Sequence, residues 1–133
     1  MIAAIHAGWK GAFKGIIKRT LNFMIKKGCD PKNVTAVIGP CISVKNYEVK
    51  KDFIKKLIKK DGKNKKFFKK IQNKDFFDLK KYVLSQLKAL NIKKIDIINK
   101  DTFTSNNNFF SARRSISRNE NDYGRNISVI MIN

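Results

Sequence analysis

The first residue of this chain that could do chemistry is its single histidine. His6 opens the segment His6–Gly11, in which a glycine stands on each side of Trp9 and lets a ligand approach the backbone closely. A neutral imidazole is a good ligand for zinc or copper and a good acid–base group. Taken alone, a histidine at such a position is more often a packed or solvent-exposed side chain than a ligand. His6 is therefore a candidate metal ligand and a candidate catalytic group.

The two cysteines are the next candidates. Cys41 follows a predicted strand and shares a sheet edge with His6 if the predicted strands are parallel, so a Cys–His dyad with Cys41 as nucleophile is one interpretation. A small buried side chain is the alternative. Cys29 lies in a turn at the other end of the first strand–helix pair. A catalytic zinc needs about three protein ligands, and this chain offers only one His and two Cys. Two cysteines also favour a reducing, cytoplasmic setting.

The arginines are informative because the chain otherwise uses lysine. Of the 30 basic residues 25 are Lys, yet from Asp101 onward there is no Lys and there are four Arg. Arginine supplies a planar fork that suits carboxylate or phosphate, so the pair Arg113 and Arg114 is a candidate anion site. The alternative is a structural pair that caps carbonyls or bridges to Glu120 or Asp122.

Hydrophobic periodicity predicts the elements that position these residues. A strand at Ile2–Ile5, a helix from Phe13 to Ile25 that ends at Gly28, and a strand at Val34–Ile38 indicate an α/β fold in a single domain, residues 1–133. Five apolar residues are predicted to pin the basic middle of the chain to the body: Phe67, Phe68, Ile71, Phe76 and Phe77. Further predictions are helices at Val49–Lys60 and from the N-cap Asp78 to Asn91, strands at Ile95–Ile98 and Ile127–Ile132, and polar loops at Thr104–Asn108 and Ser115–Tyr123.

Charge and composition exclude several protein classes. The 133 residues carry a formal net charge of +20, but 42% are hydrophobic, which excludes a disordered polycation. No apolar run reaches the ~18 residues of a membrane span. Residues 45–100 hold 19 basic and 6 acidic residues, mostly Lys in pairs. Because Lys, Ile, Asn and Phe share A/T-rich codons, this excess is interpreted as compositional, and nucleic acid is disfavoured as a partner.

Five blocks of the sequence resemble the laccase-domain proteins, also called multicopper polyphenol oxidoreductases and purine nucleoside phosphorylases. The resemblance covers the chain in order and is carried by His6–Gly11, by Ile38–Ile42 followed by Tyr47–Val49, and by Phe76–Leu79, Phe109–Arg114 and Gly124–Arg125. It implies an α/β sandwich with a mixed sheet and a metal-assisted site for zinc or copper.

The resemblance also implies activities and residue roles. The family's activities are phosphorolysis of purine nucleosides, among them adenosine, inosine, guanosine and methylthioadenosine, and deamination of adenosine. Phenol oxidation with copper and a peptidoglycan-editing role have also been described for it. By position His6 is similar to a metal-ligand histidine, and Arg113, Arg114 and Arg125 are similar to basic positions that suit phosphate or nucleoside.

The chain departs from the family pattern at several points. The family domain extends upstream of the first block, where a His and an Asp-Cys cysteine supply the other two metal ligands. Asp101 stands in place of the usual Cys, Ala112 in place of an aromatic residue and Tyr123 in place of Thr. We therefore expect the C-terminal portion of a family member: a truncated product, a misassigned start or half of a split protein.

An incomplete domain is expected to expose apolar surface, so the chain would be poorly soluble or would pair with another chain, either an N-terminal half or a second copy. Three functions follow. The first is a metal-dependent enzyme of purine nucleoside metabolism, incomplete in this chain. The second is a non-catalytic remnant or a subunit that needs an N-terminal partner. The third, a basic nucleic-acid-binding module, is less favoured.

Overall fold

Two separate sheets and the helices packed on them make up the fold. The computed structural model describes residues 1–132. One sheet pairs two strands in parallel and the other has three antiparallel strands, so the predicted α/β class is confirmed. The helices are α1 (Trp9–Phe13), α2 (Ile16–Lys26), α3 (Lys51–Lys60), α4 (Leu79–Ala89) and α5 (Ala112–Ser117). The strands are β1 (Thr35–Ile38), β2 (Glu48–Val49), β3 (Phe68–Ile71), β4 (Lys74–Phe77) and β5 (Lys94–Ile97). Among residues 1–132 no helix is long and apolar enough to cross a membrane.

The first predicted helix is divided into α1 and α2. Gly15 separates them with a φ of 82°, a left-handed conformation that glycine adopts without a steric penalty. Ile17 and Leu21 of α2 are buried as predicted, whereas Ile25 is exposed. Gly28, with a φ of 88°, follows the end of α2, in agreement with its predicted role as a helix stop.

Strands β1 and β5 form the parallel pair, which confirms two predicted strands. Ala36 lies opposite Ile95 and Ile38 opposite Ile97. Helix α4 packs against β1 and joins β4 of the antiparallel sheet to β5 of this pair.

The antiparallel sheet, with strand order β2–β4–β3, was not predicted. Gln72 and Asn73 join β3 to β4 with φ values of 46° and 60°, the left-handed pair typical of a tight hairpin turn. Glu48 pairs with Phe76 across β2 and β4. The predicted helix start at Val49 is therefore two residues early, and α3 begins at Lys51. The turn residues and the flanking aromatic and lysine runs were the sequence features from which the hairpin could have been predicted.

The core is an aromatic cluster centred on Phe77, whose side chain is completely buried. This confirms that the phenylalanines of the basic middle pack into the body, whereas Ile71, which was predicted to pack with them, is exposed. Asp78 follows at the start of α4, where its carboxylate accepts the Lys81 N–H at 2.9 Å, and Asn91 closes that helix with a φ of 60°; both were predicted. The rings around Phe77, at centroid distances of 5.1–5.8 Å, belong to Tyr47, Phe53, Phe68 and Tyr82.

Three sequence-based predictions are wrong. Ile2–Ile5 and Ile127–Ile132 are not strands, since neither pairs with any strand among residues 1–132, and most of their side chains are exposed. A strand depends on a neighbour for its hydrogen bonds, which a local apolar pattern does not supply. The loop predicted at Ser115–Tyr123 begins inside α5, because Ser111 caps that helix by accepting the Arg114 N–H at 3.3 Å.

Candidate functional site

His6 lies on an exposed extended segment just before α1, not at the end of a strand. Its imidazole folds over Gly8: a Cβ at Gly8 would lie only 3.1 Å from His6 Nε2. A Cβ at Gly11 would lie 3.3 Å from the His6 carbonyl oxygen. Such contacts are tighter than ordinary van der Waals contact, so the two glycines make room for His6 beside Trp9.

Cys41 continues the parallel pairing of β1 and β5 beyond the ends of both strands. Its N–H donates to the Lys100 carbonyl at 3.3 Å, and its own carbonyl accepts from Thr102. Burial raises the pKa of the Cys41 thiol; Lys80 opposes this, while nearby carboxylates add to it. A raised pKa disfavours the thiolate, the reactive form, so the surroundings support the packing role over the nucleophile.

Asp101 organises the loop that follows this pairing. Its carboxylate accepts four hydrogen bonds: from the Ser43 N–H at 3.1 Å, the Ser43 hydroxyl at 2.6 Å, the Asn46 side-chain amide at 2.7 Å and the Phe103 N–H at 2.8 Å. Burial raises the pKa of Asp101, but the hydrogen bonds from Ser43, Phe103 and Asn46 together outweigh it, and the pKa lies below its usual value. The residue noted in the sequence only as a departure from the family pattern is thus a structural anchor.

The lowered pKa of Asp101 predicts a pH-dependent contribution to stability. An aspartate whose folded pKa is depressed stabilises the fold at pH values above its unfolded pKa, about 3.9, and that contribution is lost as the pH falls through the folded pKa. We expect Asp101→Asn to be less stable than the wild type at pH 7, and the difference to shrink below about pH 4. Urea unfolding of both proteins between pH 2 and pH 7 measures this; a difference independent of pH would contradict it.

Arg114 is bound entirely within the fold. Its guanidinium donates to the carbonyl oxygens of Thr102 at 3.0 Å, Phe103 at 2.8 Å and Phe109 at 2.6 Å. These bonds fasten the loop held by Asp101 to α5. Arg114 therefore has the carbonyl-capping role that the sequence left open as an alternative.

Arg113, the neighbouring residue, has most of its donors unused. It is exposed, its Nη1 donates to the Glu48 carbonyl at 3.1 Å, and its guanidinium carbon lies 5.3 Å from the centre of the Tyr47 ring. Within residues 1–132 it makes no further hydrogen bond. A guanidinium has five N–H donors, so Arg113 has donors available for an anion.

Two open cavities meet at Tyr47 and Arg113, which line both. The first, which we call the aromatic cavity, has a volume of about 260 Å³ and the second, the aliphatic cavity, about 340 Å³. The aromatic cavity is also lined by Trp9, Glu48, Val49, Lys50, Asp52 and Phe53. The aliphatic cavity is also lined by Ile42, Thr102, Phe110, Ser111, Ala112 and Ile116.

Arg125 lies outside both cavities. It donates to the Tyr123 carbonyl, and its guanidinium carbon is 3.9 Å from the centre of the Tyr123 ring. The preceding Gly124 lies flat against Phe110, since a Cβ there would come within 2.4 Å of the ring. Asn126 and Phe110 exchange two hydrogen bonds. The segment around Arg125 therefore packs beside the aliphatic cavity through Phe110.

Comparison with known proteins identifies the family. The sequence profile of the family described as multi-copper polyphenol oxidoreductase laccase matches residues 1–133. The chain belongs to this family. A purine nucleoside phosphorylase of Rickettsia conorii is 40% identical to it over 129 residues, and one of Haemophilus influenzae is 33% identical over 132. These alignments cover 96% and 97% of this chain but 52% and 51% of the relatives, so the chain spans about half the length of the curated relatives it matches.

The fold brings separate blocks of the laccase-family pattern together at the aromatic cavity. Trp9 comes from the first block, Tyr47–Val49 from the second and Arg113 from the fourth. These residues are up to 104 positions apart in the sequence. Sequence reasoning missed Tyr47, Asp52 and Phe53 as site residues, although the first stood within a matched block.

The laccase family implies bound metal, and the residues of this chain fit that only in part. No three His, Cys, Asp or Glu side chains among residues 1–132 form a group that could hold a metal ion. His6 alone falls short of the roughly three protein ligands of a catalytic zinc site. The described residues therefore do not make a complete metal centre.

Proposed function

We propose that this chain forms part of an enzyme that cleaves purine nucleosides with phosphate. The observation that carries the proposal is the meeting of three family blocks at a cavity where Arg113 keeps guanidinium donors free. The names of the two relatives described above, purine nucleoside phosphorylases at 40% and 33% identity, support the reaction class. In this reaction a phosphate oxygen bonds to C1′ of the ribose, the bond from C1′ to the purine nitrogen breaks, and the purine leaves with a proton.

Arg113 has a defined role in the proposed reaction. Its guanidinium binds the phosphate by charge-assisted hydrogen bonds, which a planar fork makes well. The contact with the Glu48 carbonyl and the Tyr47 ring holds the side chain in place without consuming its other donors. Arg125 and Arg114 take no direct part, and Cys41 is a packed thiol. His6 remains a proposed ligand of zinc or copper, and no step is assigned to that ion.

Incubation of the purified chain with each purine nucleoside, with and without phosphate, tests the proposal. We expect release of free base and ribose 1-phosphate from adenosine, inosine, guanosine or methylthioadenosine only when phosphate is present. Chromatography of the bases measures it, and loss of the adenosine amino group as ammonia reports the deamination that the family implies. Absence of base release from all four nucleosides, both by the chain alone and by the chain mixed with an N-terminal half, contradicts the proposal.

A subunit or remnant that needs a partner chain is the second candidate, favoured by exposed apolar side chains. Phe23 and Ile25 of α2 are exposed, as are Ile2 and Ile5 before α1 and most of the segment 127–132. Pairing with an N-terminal half or a second copy would cover such surface. Light scattering measures the molar mass in solution, and a stable, monodisperse monomer contradicts this candidate.

The basic charge does not favour a nucleic-acid function. Some of the exposed lysines of α3 contact aromatic rings of the same chain: Lys56 lies over the rings of Trp9 and Phe13, and Lys60 over Phe13. Binding to the phosphates of a nucleic acid would weaken steeply as the salt concentration rises, so DNA or RNA binding that does not depend on salt removes this alternative.

The free cysteines Cys29 and Cys41 support the proposed cytoplasmic setting.

A further inference from the structure

The aromatic cavity has the chemistry of a site for a flat base. We propose that it binds the purine ring of the nucleoside against the surfaces of Trp9 and Phe53 that line the cavity, with the Asp52 carboxylate accepting the N–H donors of the base. This inference rests on the proposed function for its substrate class. The position of the base and the residues that select it come from the geometry of the cavity.

The walls of the cavity provide aromatic surface in a fixed arrangement. The rings of Trp9 and Phe53 lie edge to face, with centroids 4.8 Å apart and planes at 70°. Tyr47 packs on the other side of Phe53 at 6.4 Å. Trp9 and Phe53 are only partly buried, so part of each ring surface faces the cavity. Every nucleobase has a π-face that stacks on such surface.

The volume of the aromatic cavity is small for a ligand site. At about 260 Å³ it is smaller than the ~300–1,000 Å³ of typical pockets for drug-sized ligands. The aliphatic cavity continues on the other side of Tyr47 and Arg113. A nucleoside with its base in the aromatic cavity therefore places the ribose at the junction, where Arg113 holds the phosphate.

The two acidic residues at the aromatic cavity, Glu48 and Asp52, differ in whether their carboxylates are free to bind a ligand. Glu48 is engaged by Lys74, with 3.0 Å between Nζ and Oε2. Asp52, in the first turn of α3, is exposed and has no ion pair or side-chain hydrogen bond among residues 1–132. Its carboxylate only accepts hydrogen bonds, so it suits the 6-amino group of adenine or the ring N–H of hypoxanthine and guanine. Asp52 is thus the group that distinguishes a purine with outward donors from other flat rings.

The fluorescence of Trp9 provides the test, since it is the single tryptophan of the chain. Titration of the full chain with adenosine and inosine, corrected for ligand absorbance, is expected to give saturable quenching. Uridine, with a smaller ring, is expected to bind at least tenfold more weakly. Quenching that does not saturate, or equal quenching by uridine, overturns the proposal.

Two variants and a control locate the binding. Phe53→Leu is expected to weaken inosine binding about tenfold through lost stacking. Because Phe53 also packs on Phe77, the surface variant Asp52→Ala gives a second test with the same expected direction. Phe23→Leu, an exposed aromatic residue on α2, is the matched control and keeps wild-type affinity. Wild-type affinity in both site variants overturns the proposal.

The result separates this inference from the proposed function. Saturable quenching that depends on Phe53 and Asp52, without release of base, contradicts the phosphorylase and supports the base site. Phosphate-dependent release of base with no change in the fluorescence of Trp9 supports the phosphorylase and overturns the base site.

Discussion

Replacement of Phe77 by alanine is expected to lower the free energy of unfolding by about 3–5 kcal/mol, the typical cost of truncating a buried phenylalanine. Phe77 is completely buried and lies within 5.1–5.8 Å of four aromatic rings. Because folded domains are stable by only about 5–15 kcal/mol, such a loss removes a large share of the total. Two of the four rings, Tyr47 and Phe53, also line the aromatic cavity, so the same variant is expected to weaken ligand binding.

Urea unfolding followed by circular dichroism measures the effect of the Phe77 variants. Phe77→Leu fills part of the same space and is expected to cost less than Phe77→Ala. Phe23→Ala removes a ring of the same size from the surface and is expected to change stability by no more than about 0.5 kcal/mol. A loss below about 1 kcal/mol for Phe77→Ala would show that the aromatic cluster is not the centre of the core.

Local signals in the sequence predicted the helices better than the sheets. The Asp78 cap, the Gly28 stop and the left-handed Asn91 are set by interactions within a few residues, and the structure confirms all three. The strands predicted at Ile2–Ile5 and Ile127–Ile132 rested on apolar composition alone, and strand formation depends on a partner distant in the sequence. The hairpin β3–β4 was missed because its turn, Gln72 and Asn73, lacks the glycine usual in such turns.

The sequence predicted the segments that form the candidate site but not how they are arranged around it. The resemblance identified the segments that hold Trp9, Tyr47 and Arg113, but long-range packing decides that these side chains line one cavity. Sequence also could not separate Arg113 from Arg114, which have the same side chain. Adjacent residues of a helix point about 100° apart, so one turns into the fold and the other remains outside it.

Substitution of Arg113 is expected to lower activity, whereas substitution of Arg114 is expected to lower stability. Arg113→Ala is expected to lower kcat/KM for phosphorolysis about 100-fold, as loss of a preorganised donor to a reacting anion does, with stability within about 0.5 kcal/mol of the wild type. Arg114→Ala is expected to lower the free energy of unfolding by about 2–4 kcal/mol, because it leaves the carbonyls of Thr102, Phe103 and Phe109 without their charged donor. Urea unfolding and base release, measured on the same preparations, separate the two effects.

Lysine substitutions sharpen the contrast because they retain the charge and remove the planar fork. Arg113→Lys is expected to recover part of the phosphate dependence, since an ammonium still attracts the anion. Arg114→Lys is expected to recover little stability, because one ammonium cannot reproduce the geometry of the Arg114 fork. Equal losses of stability in Arg113→Ala and Arg114→Ala would make both residues structural and would leave the cavities without an anion-binding group. A loss of activity in Arg113→Ala alone would place the phosphate at the junction of the two cavities.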